Sequence, residues 1–157
     1  MQRPKKPELQ KGSDAMALNF AVQFDDNSDE FAKAIDDMMP PLLSALGKTA
    51  EAFAVRYITD FGYVDTGRAR ASITHTWSGQ NAYVFSYTDD TGKPYTQEIN
   101  GVPIEENRVY IGSNVPYFPF LEEGTVKMRA GHMLRRAVTE KECLDQYKYI
   151  IETFMKK

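Results

Sequence analysis

The sequence is poor in the residues that most often carry covalent or acid–base chemistry. Its 157 residues include one cysteine, Cys143, and two histidines, His75 and His132. A single cysteine excludes an internal disulfide, and the first residues lack the apolar core of a signal peptide, so we expect a protein made and kept in the cytosol. No run approaches the ~20 apolar residues that a membrane-spanning helix needs, and we therefore expect no membrane insertion.

The composition is otherwise ordinary for one soluble globular domain, with 42% hydrophobic and 26% charged residues. The net charge of −3 is small, but the charges are unevenly distributed. They form two solvated surfaces or, alternatively, complementary faces for head-to-tail contacts between neighbouring copies. The acidic group is Asp25, Asp26, Asp29, Glu30, Asp36 and Asp37, and the basic group is Lys127, Arg129, Arg135 and Arg136.

The N-terminal residues predict an arm followed by a strand. Residues 1–15 are rich in lysine, proline and glycine, which discourage packing, so we interpret them as a flexible basic arm. Residues 16–157 then form the predicted domain, and Met16 is an alternative natural start. Residues 17–24 alternate apolar and other side chains with the period of a half-buried strand.

A long amphipathic helix is predicted from Ser28 to Phe61. Ser28 is a suitable helix cap, and the apolar residues that follow recur at spacings of three and four. Pro40 and Pro41 either kink this helix or restart it with proline in a first turn. Gly62 suits a left-handed terminus.

Four short strands are expected after this helix. Residues 73–77 and 83–87 alternate, and we expect them to pair as a hairpin. Residues 88–106 look like a projecting hairpin with a tight turn at Asn100-Gly101. Residues 108–112 return the chain to the sheet, and an aromatic corner follows. A last helix is predicted over residues 130–154, with one broad apolar face formed by Met133, Ala137, Leu144, Tyr147, Ile151 and Met155. These elements predict an α+β domain in which an antiparallel sheet of about four strands is packed by the long first helix and the C-terminal helix.

The sequence contains few candidates for a catalytic residue. His75 lies on a strand beside Ile73 and Trp77, where a hydrogen-bonded core or edge histidine is the simpler interpretation. His132 lies at a helix start, and Cys143 lies mid-helix with no histidine nearby in sequence. The glutamates at 105, 106, 122 and 123 are adjacent pairs that usually face apart on a strand or loop. We therefore expect no catalytic residue, no bound metal and no cofactor.

Two further activities, aspartic protease activity and nucleic-acid binding, have candidate residues in the sequence. Asp65-Thr66-Gly67 matches the catalytic triplet of aspartic proteases, but those enzymes need a paired aspartate in a β-rich fold, so a structural cap is favoured. The basic group at 127–136 lies near aromatic residues at 117–120, which is typical of single-strand binding. The chain is acidic, with a pI near 5.4, whereas a specific DNA reader usually carries net positive charge. A small nucleic-acid-binding protein stays an alternative.

Three blocks carry a resemblance to a known family. The first runs from Val64 through Asp65-Thr66-Gly67-Arg68 to Ile73, the second from Val109 to Thr125, and the third is Lys127-Met128-Arg129-Ala130 followed by an apolar-periodic helix. In this order they resemble the tail-completion or head-tail joining proteins of long-tailed bacteriophages, over about residues 28 to 140. The chain departs from that pattern at Ala69, at Glu123 and at Gly131-His132-Met133.

The resemblance implies a structural role in assembly rather than turnover. Family proteins of this type form a ring, here expected to be a hexamer, at the neck of the virion, and the ring lets double-stranded DNA pass. The implied partners are other copies of the chain, the head connector or head-closure protein, and the tail tube or tail terminator protein. Assembly in the bacterial cytoplasm and a final location in the virion follow from the same resemblance. Roles as tail terminator or minor capsid-associated protein stay open.

Site residues are carried over from the matching blocks. By the resemblance, Asp65, Thr66, Gly67 and Arg68 fix the turn between the first helix and the sheet, and either Arg68 or Arg70 is free to bridge subunits. The second loop and an interface are shaped by Tyr117, Glu122, Gly124 and Thr125. The basic group Lys127, Arg129, Arg135 and Arg136 is a candidate contact patch.

Overall fold

The computed structural model describes residues 28–77, 80, 83–99 and 107–156. The predicted arm, the predicted strand at 17–24 and the predicted turn at Asn100-Gly101 lie outside these residues. The described elements confirm the predicted mixed α+β class. They are α1 (Ser28–Asp60), α2 (Arg68–Ala71), β1 (Thr74–Trp77), β2 (Tyr83–Thr88), β3 (Pro94–Ile99), β4 (Val109–Gly112), α3 (Phe118–Glu123), α4 (Met133–Thr139) and α5 (Lys141–Met155).

Helix α1 is one continuous element of 33 residues that begins at Ser28, as predicted. Both prolines lie inside it without interrupting it. Because proline has no amide hydrogen, the carbonyls of Asp36 and Asp37 lack their usual helical donors, which makes the helix easier to bend at that level. The helix ends before Gly62, whose φ of +74° confirms the predicted left-handed terminus.

The four strands are antiparallel and form two sheets of two strands each. β1 pairs with β4, with Thr74 opposite Gly112, and β2 pairs with β3, with Tyr83 opposite Ile99. The prediction of a hairpin between the first two strands was wrong. Alternation locates a strand and its faces but does not identify its partner, and β2 instead turns back at residues 89–93, which precede β3 directly.

The sheet formed by β1 and β4 lies between α1 and the second sheet. On one face His75 packs so closely on Gly47 of α1 that a β-carbon at Gly47 would lie 2.2 Å from the imidazole ring. On the other face the Tyr83 hydroxyl of β2 donates to the backbone carbonyl of His75 at 2.5 Å. Thr74 and Thr76 on this face are more buried than His75, because the second sheet covers them.

The C-terminal segment is two helices rather than the predicted one. Glu140, at φ −65° and ψ 141°, is extended and separates α4 from α5. Met133 and Ala137 of α4 are fully buried as predicted, but Leu144 and Met155 of α5 are 49% and 64% exposed. The predicted common face was wrong because the break at Glu140 turns α5. The core contains Ala54, Tyr57, Ile58, Ile73, Phe118, Met133, Ala137 and Cys143.

Candidate functional site

The first resemblance block forms a turn that is held against the turn between β2 and β3. Gly67 has a φ of +74°, and a β-carbon there would lie 2.3 Å from the Asp90 carboxyl group. The amide of Asp90 donates to the Thr66 carbonyl at 2.8 Å. Gly67 is therefore required both by its backbone conformation and by the space that Asp90 occupies.

Arg70 supports the same contact from inside the subunit. Its guanidinium donates to both carboxylate oxygens of Asp90, at 2.7 and 2.8 Å. Of the two arginines expected to bridge subunits, Arg70 is thus already engaged within its own chain. Thr66 also stabilises the start of α2, where its hydroxyl accepts a long hydrogen bond of 3.4 Å from the Arg68 amide.

Arg68 lies among tyrosines from three different elements. Its guanidinium carbon is 4.3 Å from the centre of the Tyr95 ring. A hydrogen bond with Tyr87 is the main cause of its raised pKa, and burial raises the pKa of Tyr117 nearby. Within the described part of the chain, Arg68 Nε is buried and has no hydrogen-bond partner. A buried donor without a partner among the described residues calls for an explanation, and it makes Arg68 a candidate contact residue.

These residues line an open groove of about 720 Å³, which we call the Arg68 groove. Its walls are residues 62–69 together with Tyr95, Tyr117, Leu121 and Met128. The groove brings together residues from all three resemblance blocks, although Asp65 and Met128 are more than sixty positions apart. Tyr117 is 39% exposed and Asp65 is exposed, so both are accessible from solvent.

Glu122 has a different position from the one expected for an interface residue. It is only 9% exposed, and its carboxylate accepts the backbone amides of Leu134 and Arg135, each at 3.0 Å. These amides belong to the first turn of α4, whose preceding residue, His132, provides no side-chain cap. Glu122 therefore caps α4 from α3 and complements the positive end of that helix.

Gly124 and Thr125 also act within the subunit. Gly124 has a φ of +78°, and a β-carbon there would lie 2.7 Å from the backbone nitrogen of Ala130. The Thr125 hydroxyl accepts the amides of Lys127 and Met128 at 3.2 and 3.1 Å. These two residues fold the loop back on itself, so they shape the loop as expected but do not by themselves form an interface.

Three of the four basic residues of the candidate patch have contacts within their own chain. Arg135 pairs with Glu123 at 3.0 Å, and Arg136 pairs with Glu140 at 3.2 Å. Arg136 also lies over the Tyr57 ring at 4.2 Å, and Arg129 lies 5.8 Å from the centre of Phe61. Lys127 is exposed in the loop between α3 and α4. Aromatic residues at the end of α1 and just after it therefore contact two of the four basic side chains.

A second set of contacts holds α5 on α1 and was not found from the sequence. Arg56 donates to both carboxylate oxygens of Glu142, at 2.9 and 2.8 Å, which lowers the pKa of Glu142. Beside this pair, the Tyr57 hydroxyl lies 3.3 Å from the sulfur of the buried Cys143, and burial is the main cause of the raised pKa of Tyr57. The partners are 86 residues apart, and no local pattern signals them.

The residues considered for catalysis have structural contacts. His75 Nδ1 lies 2.7 Å from the Glu51 carboxylate, in agreement with a hydrogen-bonded, half-buried histidine. Glu122 points inward and Glu123 outward, and Glu105 and Glu106 lie outside the described residues. In the described ranges, no cluster of three or more His, Cys, Asp or Glu side chains is arranged to hold a metal ion.

Comparisons with known proteins give no relative. No family model matches the chain, and no curated protein or solved structure is similar to it. Among the helices that the structure describes, none has the length and apolarity to span a membrane.

Proposed function

We propose that this chain is a structural subunit of a bacteriophage neck, which assembles as a ring between the DNA-filled head and the tail. One observation supports this most strongly. Some residues of each of the three resemblance blocks, among them Asp65, Tyr117 and Met128, line a single groove although they are scattered along the chain. Residues that share a role across a family are expected to share a surface, whereas three coincidental matches have no reason to meet in space.

The groove also narrows the set of residues that would contact a partner. Glu122 and Thr125 accept hydrogen bonds from backbone amides of their own subunit, and Gly124 lies where a β-carbon would clash with the backbone of Ala130. The role of these residues is therefore to hold the conformation of the loop. Arg68 and Tyr117 remain as contact residues, because Arg68 Nε has no partner in the described residues and Tyr117 is partly exposed. The Arg68 side chain as a whole is half-buried, and a carboxylate or carbonyl oxygen of a neighbouring subunit is the group that would bind to its accessible part.

Exposed apolar side chains also support an assembling subunit. Phe31 is 65% exposed, Phe120 58% and Tyr149 64%. A closed ring needs two different complementary faces on each subunit, and these residues lie on α1, α3 and α5, which are separate elements.

The alternative of a nucleic-acid-binding protein has less support. Arg135 and Arg136 are paired with Glu123 and Glu140, Arg136 lies over the Tyr57 ring of α1, and Arg129 lies near the Phe61 ring. Binding to a phosphate backbone would have to compete with these contacts. The roles of tail terminator and minor capsid-associated protein share the features above and differ only in the partner of the ring.

The experiment that tests the neck function is disruption of this reading frame in the genome that carries it, followed by induction and negative-stain electron microscopy of the lysate. Filled heads beside unattached tails are expected, and attachment should return when the intact gene is supplied in trans. Filled heads with tails of irregular length would instead identify a tail terminator. Normal infectious virions would refute a role in the neck.

A further inference from the structure

Four cationic side chains lie in or beside the Arg68 groove. Arg68 and Lys93 both lie against one tyrosine ring of the lining, at 4.3 and 5.4 Å from its centre. Met128, another lining residue, is flanked in sequence by Lys127 and Arg129, and both of these side chains are exposed. The groove therefore combines an aromatic wall with a basic rim.

These four cations carry positive charge that their own chain does not balance. In the part of the chain that the structure describes, none of them forms an ion pair with a carboxylate. The same region contains two exposed acidic residues, Asp60 and Asp65, of which Asp65 lines the groove. Asp90, which faces the same turn, is paired with Arg70 at 2.7 Å. The surplus of positive charge attracts an acidic partner.

The first three turns of α1 have the complementary charge. Asp29, Glu30, Asp36 and Asp37 are all exposed, and Lys33 is the one cation among them. None of these carboxylates forms an ion pair with another described residue. Other exposed carboxylates of the chain are already paired: Asp90 with Arg70, Glu123 with Arg135, Glu140 with Arg136, Glu142 with Arg56 and Glu152 with Lys148.

The length of α1 keeps the two surfaces apart within one chain. The helix has 33 residues, which extend about 48 Å at 1.5 Å per residue, and the groove begins at Gly62, just beyond its end. A bend at Pro40 and Pro41 would not remove this separation, because residues 42–60 alone extend about 28 Å. The acidic start of α1 can therefore meet an Arg68 groove only on another copy.

We propose that the acidic first turns of α1 of one copy bind in the Arg68 groove of the next copy, with the Asp29 or Glu30 carboxylate at the Arg68 guanidinium. This inference rests on the proposed ring, in which each contact between subunits is made by this chain's own surfaces. Among the described surfaces, the start of α1 supplies the unpaired carboxylates that the groove lacks. The contact joins two different surfaces, so it is head-to-tail, as a ring of more than two copies requires.

An interface between exposed charges depends on ionic strength. Salt screens such charges over a distance of about 8 Å at physiological concentration and over less at higher concentration. Self-association of the wild-type chain should therefore weaken about tenfold or more between about 0.05 M and about 0.5 M NaCl. An interface built from apolar contacts alone would not weaken in this way.

The test uses two full-length charge-reversal variants, measured by size-exclusion chromatography with light scattering across a concentration series. One carries Asp29→Lys with Glu30→Lys, and the other carries Lys127→Glu with Arg129→Glu, all at exposed positions. Wild-type protein should form assemblies larger than a dimer. Each variant alone should associate about 30-fold or more weakly, because its helix start and its groove then carry like charge.

An equimolar mixture of the two variants should associate again. The basic helix start of the first variant then meets the acidic rim of the second, and the acidic helix start of the second meets the basic rim of the first. Two control variants change the net charge by the same amounts on α5, outside the groove. These controls, Lys141→Glu with Lys148→Glu and Asp145→Lys with Glu152→Lys, should associate like wild type.

The opposite results would overturn the proposal. Association that both reversal variants retain would do so, as would a loss that the mixture of folded variants does not restore. A wild-type chain that is monomeric throughout the series would also overturn it, while the neck function is judged separately from the particle images. If Lys127→Glu with Arg129→Glu keeps association but abolishes binding of a fluorescent single-stranded oligonucleotide, the groove is a nucleic-acid surface and the proposal is wrong.

Discussion

Glu122, at the end of α3, holds the start of α4 through the amide of Leu134, which lies 3.0 Å from its Oε2. A second amide, that of Arg135, bonds the other carboxylate oxygen at the same distance. The first turn of α4 is therefore capped by a residue twelve positions earlier in the chain. The Glu-x-Gly-Thr block of the resemblance contains a fold-determining carboxylate, and this explains why a glutamate is needed there.

We expect Glu122→Ala to destabilise the protein by about 2 kcal/mol, since it leaves two part-buried amides without their acceptor. Urea denaturation at neutral pH measures the change. Glu122→Gln retains one acceptor and should cost about 1 kcal/mol. Glu123→Ala is the matched control, because its pair with Arg135 is exposed and its loss should change stability by about 0.5 kcal/mol or less. Equal losses for Glu122→Ala and Glu123→Ala would contradict the capping role.

Two glycines allow the stability cost of backbone strain to be measured separately from the cost of a steric clash. Gly62 and Gly67 both have a φ of +74°, but only Gly67 faces a neighbour, the Asp90 carboxyl group. Gly62→Ala should cost about 1 kcal/mol, the strain of alanine in the left-handed region. Gly67→Ala should cost about 3 kcal/mol or more, because Asp90 must also move. Thermal or urea unfolding gives both values, and a similar cost for the two variants would show that Asp90 moves away freely.

Stability should fall in acid partly through Asp89. Its carboxylate accepts hydrogen bonds from the Thr91 hydroxyl and from the amides of Thr91 and Lys93, and these lower its pKa below the ordinary value of 3.8. A carboxyl group with a lowered pKa in the folded state stabilises the protein above its unfolded pKa, and the contribution is lost as the pH falls below about 3.8.

Thr91→Val should therefore raise the Asp89 pKa, as measured by NMR titration of the side-chain carboxyl carbon. Asp89→Asn should lower stability at pH 7 and reduce the loss of stability between neutral and acidic pH. An unchanged Asp89 pKa in Thr91→Val would show that the backbone amides alone stabilise the Asp89 carboxylate.

The rate at which a thiol reagent modifies Cys143 shows whether α5 is packed on α1. Its sulfur is fully buried beside the Tyr57 hydroxyl, so a thiol reagent should modify it only when α5 detaches from α1. Arg56→Ala removes the bidentate pair with Glu142 and should speed modification severalfold. Arg135→Ala, which breaks a different exposed pair, should leave the rate unchanged. Rapid modification of the wild-type thiol in native buffer would show that α5 is not held as described.

Local signals in the sequence predicted the elements better than their partners. Ser28 and Gly62 mark the ends of α1, because a helix cap and a left-handed glycine act within a few residues. The pairing of β1 with β4 was missed, since alternation is the same whichever strand lies alongside. The break at Glu140 was also missed. It contains neither proline nor glycine, and the two helices on either side are positioned by contacts with α1.

The same distinction applies to the candidate site. The motif residues at 65–68 were found because they are adjacent, but their meeting with Tyr95 and Met128 depends on how the sheets and α3 pack. Either Arg68 or Arg70 was expected to be free, and only the structure places Asp90 opposite Arg70. Sequence patterns do not give the partner of a charged side chain when that partner lies on another element.

The last prediction separates assembly from folding at Arg68. Its guanidinium stacks on Tyr95 at the rim of the Arg68 groove, and its Nε has no partner within the described chain. Arg68→Ala should therefore lower complementation of the disrupted phage gene, scored as plaque-forming particles, far more than it lowers the yield or urea stability of the free subunit.

Arg68→Lys keeps the charge but loses the planar guanidinium, so it should also complement poorly if the site needs stacking and a directed Nε–H. Lys148→Ala provides a control at an exposed residue outside the groove. If Arg68→Ala reduces subunit yield and complementation to the same extent, the contact with Tyr95 is needed for folding, and the groove loses its role in joining subunits.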